Sequence, residues 1–254
     1  MLRSVKEGLL ESLPRGFAER LFLVRNAESV MEAEVVEDVF VKMGISRRNR
    51  LWVKRLSMRF GHEYGLCRWL KENLRPDEVF YDIGSCYGFF PALVSSIQPG
   101  AKVHAFEANW RLCIHLRKNA ERYRDRSEWA VTNKFVGEAD DAQTVRLDSY
   151  SKANGMPSLI KCDVDGAEIH VLRGCREIIA ARQTEFLLEV HPHELPKFGS
   201  SVEEILGFFK DNYVFRVLSQ IREENVEWTD DLSVLDRDPN PYVYAAPAEI
   251  ARFS

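Results

Sequence analysis

The chain has 254 residues, with 35 Lys and Arg against 39 Asp and Glu and a formal net charge of −4. That length suits one large α/β domain plus an extension, and that balance argues against wholesale nucleic-acid binding. No stretch approaches the roughly 20 apolar residues of a membrane span, and no secretory apolar run follows Met1. The cysteines, Cys67, Cys86, Cys113, Cys162 and Cys175, are odd in number and lack a C-x-x-C pair, which fits reduced thiols in a cytoplasmic protein rather than a disulfide scaffold or a structural zinc site.

Residues 1–62 read as a helical extension. Leu21, Phe22, Val24, Val35, Val36, Val39 and Phe40 recur at roughly helical spacing, and Gly44 is placed to end a helix. The run from Ser46 to Arg59 is basic with apolar residues interleaved. It can face an anionic substrate or a membrane surface, although such a run is more often the solvated face of a helix whose apolar side packs on the body. From Glu63 onward strands and helices alternate. Helix is expected over 66–74, strand over 79–83, helix over 89–97, strand over 102–106 and helix over 110–123. A weaker strand over 131–136 follows, then strand 159–164, helix 167–181, strand 185–190 and helix 202–210. Strands 213–218 and 242–245 read as an antiparallel pair at the sheet edge, joined by an acidic surface connection over 227–238. This alternation implies a Rossmann-like domain over 63–254, a mostly parallel seven-stranded sheet with helices on both faces.

The most informative stretch is Asp82-Ile83-Gly84-Ser85-Cys86-Tyr87-Gly88, which follows an apolar strand and opens a helix. In doubly wound sheets such a turn binds nucleotides. The spacing is D-x-G-x-x-x-G, and an acid before the first glycine suits a cation better than a pyrophosphate. S-adenosylmethionine, with a sulfonium and an ammonium and no phosphate, fits that chemistry. Gly84 offers bare backbone for close approach of a ligand, and Gly88 lets the following helix pack on the strand. Glu107 ends the second strand, 19 positions past Gly88, where an acid can accept both ribose hydroxyl hydrogens. Asp163 stands at the end of the 159–164 strand. Asp165 and Glu168 have capping-box spacing. Glu189 and His191, two apart on a strand, point the same way and would share the cleft with Asp163. A histidine is a natural base for a hydroxyl near neutral pH. The trio can also hold a divalent cation, although no residue is assigned as a metal ligand.

The order of these motifs resembles the FkbM-type family of S-adenosylmethionine-dependent methyltransferases. The resemblance rests on the run Val79 to Gly88, on Ala105-Phe106-Glu107 with Asn119 downstream, and on Leu147-Asp148-Ser149-Tyr150. It continues through Leu159 to Glu168, Val171-Leu172-Arg173-Gly174 and Leu188-Glu189-Val190-His191. Departures are Ser85-Cys86 where the family tends to have Ala-Asn, Asp165 for a usual glutamate and Ala108 for a common proline. The resemblance implies a class I methyltransferase fold acting on oxygen. The residues then expected at the cofactor are Asp82, Gly84, Ser85, Tyr87, Gly88, Glu107, Ala108 and Asp163. Those expected at the reaction centre are Asp163, His191 and Glu189. The acceptor would be a hydroxyl of a small molecule, sugar or other glycan, with residues 1–62 acting as a cap over it or as a homodimerisation arm. Two alternatives remain open at this level: an NAD-dependent oxidoreductase, for which a phosphate-binding turn is lacking, and a non-catalytic adenosine-binding module, which has no use for the acids after residue 162.

Overall fold

The computed structural model describes residues 27–58, 62–209, 212–219 and 227–253, together with 14–16, 18, 19 and 22. Leu21, Val24 and Arg59 lie outside the described residues. Strands β1 (Glu28–Val36) and β2 (Val39–Ser46) form an antiparallel hairpin, followed by helices α1 (Arg50–Ser57) and α2 (Tyr64–Asn73). Then come β3 (Val79–Ile83), α3 (Phe89–Ile97), β4 (Lys102–Phe106), α4 (Trp110–Tyr123) and β5 (Glu128–Thr132). After the short parallel pair β6 (Phe135–Val136) and β7 (Thr144–Val145) the chain forms α5 (Leu147–Asn154), β8 (Leu159–Cys162), α6 (Glu168–Arg173) and α7 (Arg176–Ala181). It ends with β9 (Glu185–Glu189), α8 (Val202–Gly207), β10 (Tyr213–Leu218) and β11 (Tyr242–Pro247).

The main sheet has seven strands in the order β10–β11–β9–β8–β3–β4–β5. Pairing is parallel from β9 to β5, and β11 runs antiparallel between β9 and β10. The sheet is therefore the seven-stranded, mostly parallel one expected. The final pair is antiparallel as read, but β11 inserts inside the sheet and only β10 forms the edge. From β3 the chain steps outward through β4 and β5, then returns to lay β8 on the other side of β3. The order reverses there, and a crevice opens beyond the carboxyl ends of β3 and β8. Alternation of side chains gives each sheet face its own core. Phe80, Leu159, Leu187 and Tyr244 pack with α3 and the hairpin on one face. Tyr81, Ile160, Leu188 and Val243 pack with α6 and α7 on the other.

The helical reading of 28–46 is corrected. Val41, Met43 and Ile45 are buried while Phe40 and Lys42 are exposed, which is the period of two of a strand. Asp38 takes a left-handed conformation (φ 59°) in the two-residue turn between β1 and β2, a role Asp tolerates well. Gly44 ends no helix. It is paired mid-strand with Val30, and a β-carbon there would fall 1.4 Å from the Glu28 carboxylate that lies over it. The buried Asn119 amide fastens the hairpin to the domain. It accepts from the Gly44 N–H at 2.7 Å and donates to the carbonyls of Gly44 (2.9 Å) and Tyr87 (2.8 Å). Elsewhere the differences are small. The third parallel strand starts earlier, at Glu128. The helix expected over 167–181 breaks at Gly174-Cys175 into α6 and α7. The 227–238 connection carries a 3-10 turn at Leu232–Asp236.

Candidate active site

Strand register builds the floor of the crevice. Asp82 in β3 is the direct partner of Lys161 in β8, and Glu189 in β9 is the partner of Tyr242 in β11. By alternation all four lie on the face that α3 covers. Lys161 is only 1% exposed, with its ammonium 4.5 Å above the Phe90 ring. A cation so buried requires acids around it. Its Nζ is 3.5 Å from Asp163 Oδ2 and 3.9 Å from Asp82 Oδ1. A further carboxylate comes from Glu63, at the N-cap position of α2 in a left-handed conformation (φ 46°), and it accepts the Tyr242 hydroxyl at 3.0 Å.

These carboxyls are short of water and of counter-charge. Burial pushes Asp82 up to about 6 and Glu63 up to about 7, with Lys161 pulling both the other way. Burial and the charges of Asp163 and Glu63 push Glu189 up to about 8. For Lys161 burial works against the charge, yet the surrounding acids overbalance it and raise its pKa. Asp82 Oδ1 is buried with no hydrogen-bond partner.

His191 sits just beyond β9. Its Nδ1 is 2.9 Å from Glu168 Oε1, and the same oxygen accepts the Gly166 N–H at 3.0 Å. Its Nε2 faces Glu189 Oε1 (3.7 Å), Asp165 Oδ1 (3.8 Å) and Asp163 Oδ1 (4.0 Å). Burial alone would lower the imidazole pKa, but the Glu168 hydrogen bond and the charges of Glu168, Glu189 and Asp163 carry it up to about 9. Asp163, Glu189 and His191 thus meet as expected, with ligand atoms within 4.8 Å of one another. The capping-box reading of Asp165 and Glu168 is corrected. The N-cap of α6 is Ala167 with no side-chain cap, Asp165 is exposed, and Glu168 is fully buried beneath His191. The cause is the turn at Asp165-Gly166, left-handed at both residues, which directs Glu168 inward.

The glycine turn closes the opposite wall. Gly84 is required by packing within the protein as well as by any ligand: a β-carbon there would lie 1.9 Å from the Asp163 carbonyl oxygen. At Gly88 it would strike Leu116 and Trp129, so this glycine seats the turn against α4 and β5. The buried Ser85 hydroxyl donates to the Asp82 carbonyl at 2.8 Å, which fixes the loop. The Tyr87 ring turns into the core, 5.3 Å from His115, so only its backbone belongs to the turn. Glu107 follows β4 and is spanned by the loop. Its two oxygens accept from the Cys86 N–H (2.9 Å) and the Asn109 N–H (2.7 Å). Burial still raises its pKa despite those bonds. Ala108 is half-buried beside it.

Sequence reasoning left Lys161, Glu63, Glu168 and Tyr242 without roles in this cluster. Lys161 carried a signal, a lone cation inside Leu159-Ile160-Lys161-Cys162. Glu63 carried none, because it reaches the crevice from outside the strand-helix repeat.

Residues 119–217 match the family described as the methyltransferase FkbM domain. No curated protein sequence matches the chain. Among solved structures, a methyltransferase FkbM from Methylobacillus flagellatus KT aligns at 18% identity and a TM-score of 0.48, over 71% of this chain and 51% of that one. The Pyrococcus abyssi tRNA (uracil-54, C5)-methyltransferase, in complex with S-adenosyl-L-homocysteine, aligns at 12% identity and a TM-score of 0.49, over 85% and 43%. The Bacillus cereus O-methyltransferase, also in complex with S-adenosylhomocysteine, aligns at 12% identity and a TM-score of 0.46, over 72% and 79%. The chain therefore spans about half or less of the length of the first two.

Proposed function

We propose that this chain, a member of the FkbM-type methyltransferase family, uses S-adenosylmethionine to methylate a hydroxyl of a small molecule or sugar. The observation that carries this reading is the excess of buried carboxylate at the switch point. Glu63, Asp82, Glu168 and Glu189 are buried and Asp163 is half-buried beside them. Facing these five are Lys161, His191 and His62, whose Nε2 is 3.3 Å from Glu63 Oε1, and Asp82 Oδ1 lacks a hydrogen-bond partner. A site of that charge fits a ligand that brings cationic groups and disfavours the pyrophosphate of a dinucleotide.

The residues present fit the cofactor. Glu107, held by two backbone N–H groups, has lone pairs left for the ribose hydroxyls. Asp82 and Glu63 provide negative charge for an ammonium. The turn from Gly84 to Gly88, with Ser85 fixing it, forms the wall, and Ala108 lies beside Glu107. When bound, the cofactor supplies an activated methyl group. The protein's own task is to align the acceptor oxygen and take its proton. With its pKa near 9, His191 holds a proton at neutral pH. We assign it to orient Asp163 and Glu189, and we assign to Asp163 the hydroxyl proton. Calorimetry with S-adenosylhomocysteine and NAD tests the reading. S-adenosylhomocysteine should bind and NAD should not, and Glu107→Ala should weaken the first by about 1–3 kcal/mol. Binding of NAD alone, or an unchanged affinity in that variant, would sink it.

A further inference from the structure

The segment from Ser46 to Arg59 contains six arginines and lysines and no acid, in a chain whose net charge is −4. Within it, α1 turns Trp52 and Leu56 inward. Trp52 packs 4.8 Å from the His62 ring, 5.8 Å from Phe89 and 6.0 Å from Tyr87 of the glycine turn. That explains the inner side of the helix and leaves the outer side unexplained. Leu51 and Met58 are 57% and 51% exposed. Leu51 and the exposed Lys54, three residues apart, share one side of α1, and Met58 follows at its C-terminal cap in extended conformation. Arg47, Arg48 and Arg50 are exposed at the start of the same helix. Among the described residues Arg48, Arg50 and Lys54 form no ion pair, whereas Lys152 and Arg182 on other surfaces do so with Glu177 and Glu249. A small anionic ligand would use these cations but not the two outward apolar side chains. A headgroup layer over hydrocarbon uses both.

We propose that the outer face of α1 docks on an anionic lipid surface, with the glycine turn of the candidate active site directly beneath the helix. The inference does not depend on methyl transfer, since lipid binding is read without catalysis. Each cation close to an anionic leaflet favours binding by about fivefold, so the four exposed ones contribute on the order of a few hundredfold at low salt.

The test is co-sedimentation of the full chain with vesicles of phosphatidylcholine alone and of phosphatidylcholine mixed with phosphatidylglycerol. Binding is expected to the mixed vesicles only, and it should fall as salt rises. Arg48→Glu with Lys54→Glu should weaken it by at least about tenfold. Leu51→Ser with Met58→Ser should weaken it while keeping the salt dependence. Both pairs are at exposed positions outside the candidate active site, so thermal unfolding and S-adenosylhomocysteine affinity should not change. Equal partition into neutral vesicles, or full binding by both double variants, overturns the proposal. So does the reverse pattern, in which a single-stranded RNA binds through these residues and vesicles do not.

Discussion

The two ends of the sheet bury charge in opposite ways. At the amino end Glu78 and Glu185 meet Arg252 and Arg75. The Arg252 guanidinium clasps Glu78 at 2.8 and 2.9 Å and reaches Glu185 at 2.8 Å, while Arg75 reaches Glu185 at 3.0 Å. Burial works to raise both carboxyls there; at Glu78 Arg252 outweighs it and holds the carboxyl below its usual range, while at Glu185 burial wins over Arg252 and Arg75 and raises it. At the carboxyl end five carboxyls share Lys161, His191 and His62, and burial wins at Glu63, Asp82 and Glu189. The first end is matched within the chain and ties the C-terminal segment to the sheet. The second holds more carboxyls than cations, an excess that the cationic groups of the proposed cofactor would offset. An imbalance that costs folding energy and persists beside a switch point is what a binding site looks like from the side of stability.

That contrast breaks most visibly at the amino end. Glu78→Gln leaves the buried Arg252 short of its bidentate partner, so denaturant unfolding should show a loss of about 3–5 kcal/mol. If the loss is below 1 kcal/mol, the amino end is no better matched than the other. Next in size is Asp163→Asn. Cofactor affinity should hold while turnover drops by about an order of magnitude or more. Equal loss of both would move Asp163 from the acceptor to the cofactor. A smaller effect, and of opposite sign, is expected for Asp82→Asn. Removing one of the crowded carboxylates should leave the free protein as stable or more stable, by about 1 kcal/mol, while weakening cofactor binding. Destabilisation as large as that of Glu78→Gln would erase the distinction between the two ends.

Much of this was legible in the sequence because local chemistry repeats regularly there. Asp82, Gly84, Gly88, Glu107, Asp163, Glu189 and His191 stand at strand ends, and strand ends can be found from apolar runs and the turns that follow them. The hairpin was misread because charged residues between Val35, Val39 and Phe40 imitate a helical stripe, while the alternation of Val41, Met43 and Ile45 covers too few residues to outweigh it. Its consequence is practical. Deleting residues 1–45 would strip Val35, Val36, Val41 and Met43 from the main core, so the deletion should abolish folding instead of testing a cap. Glu168 was read as a cap because spacing cannot reveal that Asp165 and Gly166 turn left-handed. Glu63 and Tyr242 join the site through register and through a loop outside the repeat, relations that exist only once the sheet is assembled.

The pH dependence of stability gives the finest test of the unmatched end. Glu63, Asp82 and Glu189 have pKa values raised by folding, so the fold favours their neutral forms, and that contribution is lost as pH rises through about 6 to 8. His191 is raised from 6.5 to about 9, so the fold favours its cation. Its contribution is complete below pH 6.5 and gone once pH passes about 9. All four act in one direction; the Asp82 contribution is spent by about pH 6, and Glu63, Glu189 and His191 carry the loss of stability on to about pH 9. Replacing His191 with Gln removes one component only. The gap in stability between the wild type and His191→Gln should be widest at or below pH 6.5 and narrow by about 1 kcal/mol per pH unit above it, roughly 2–4 °C in Tm. A gap that is constant across this range would mean that His191 is neutral in the folded protein. The cluster would then hold even less positive charge, and His191, not Asp163, would be the group free to take the acceptor's proton.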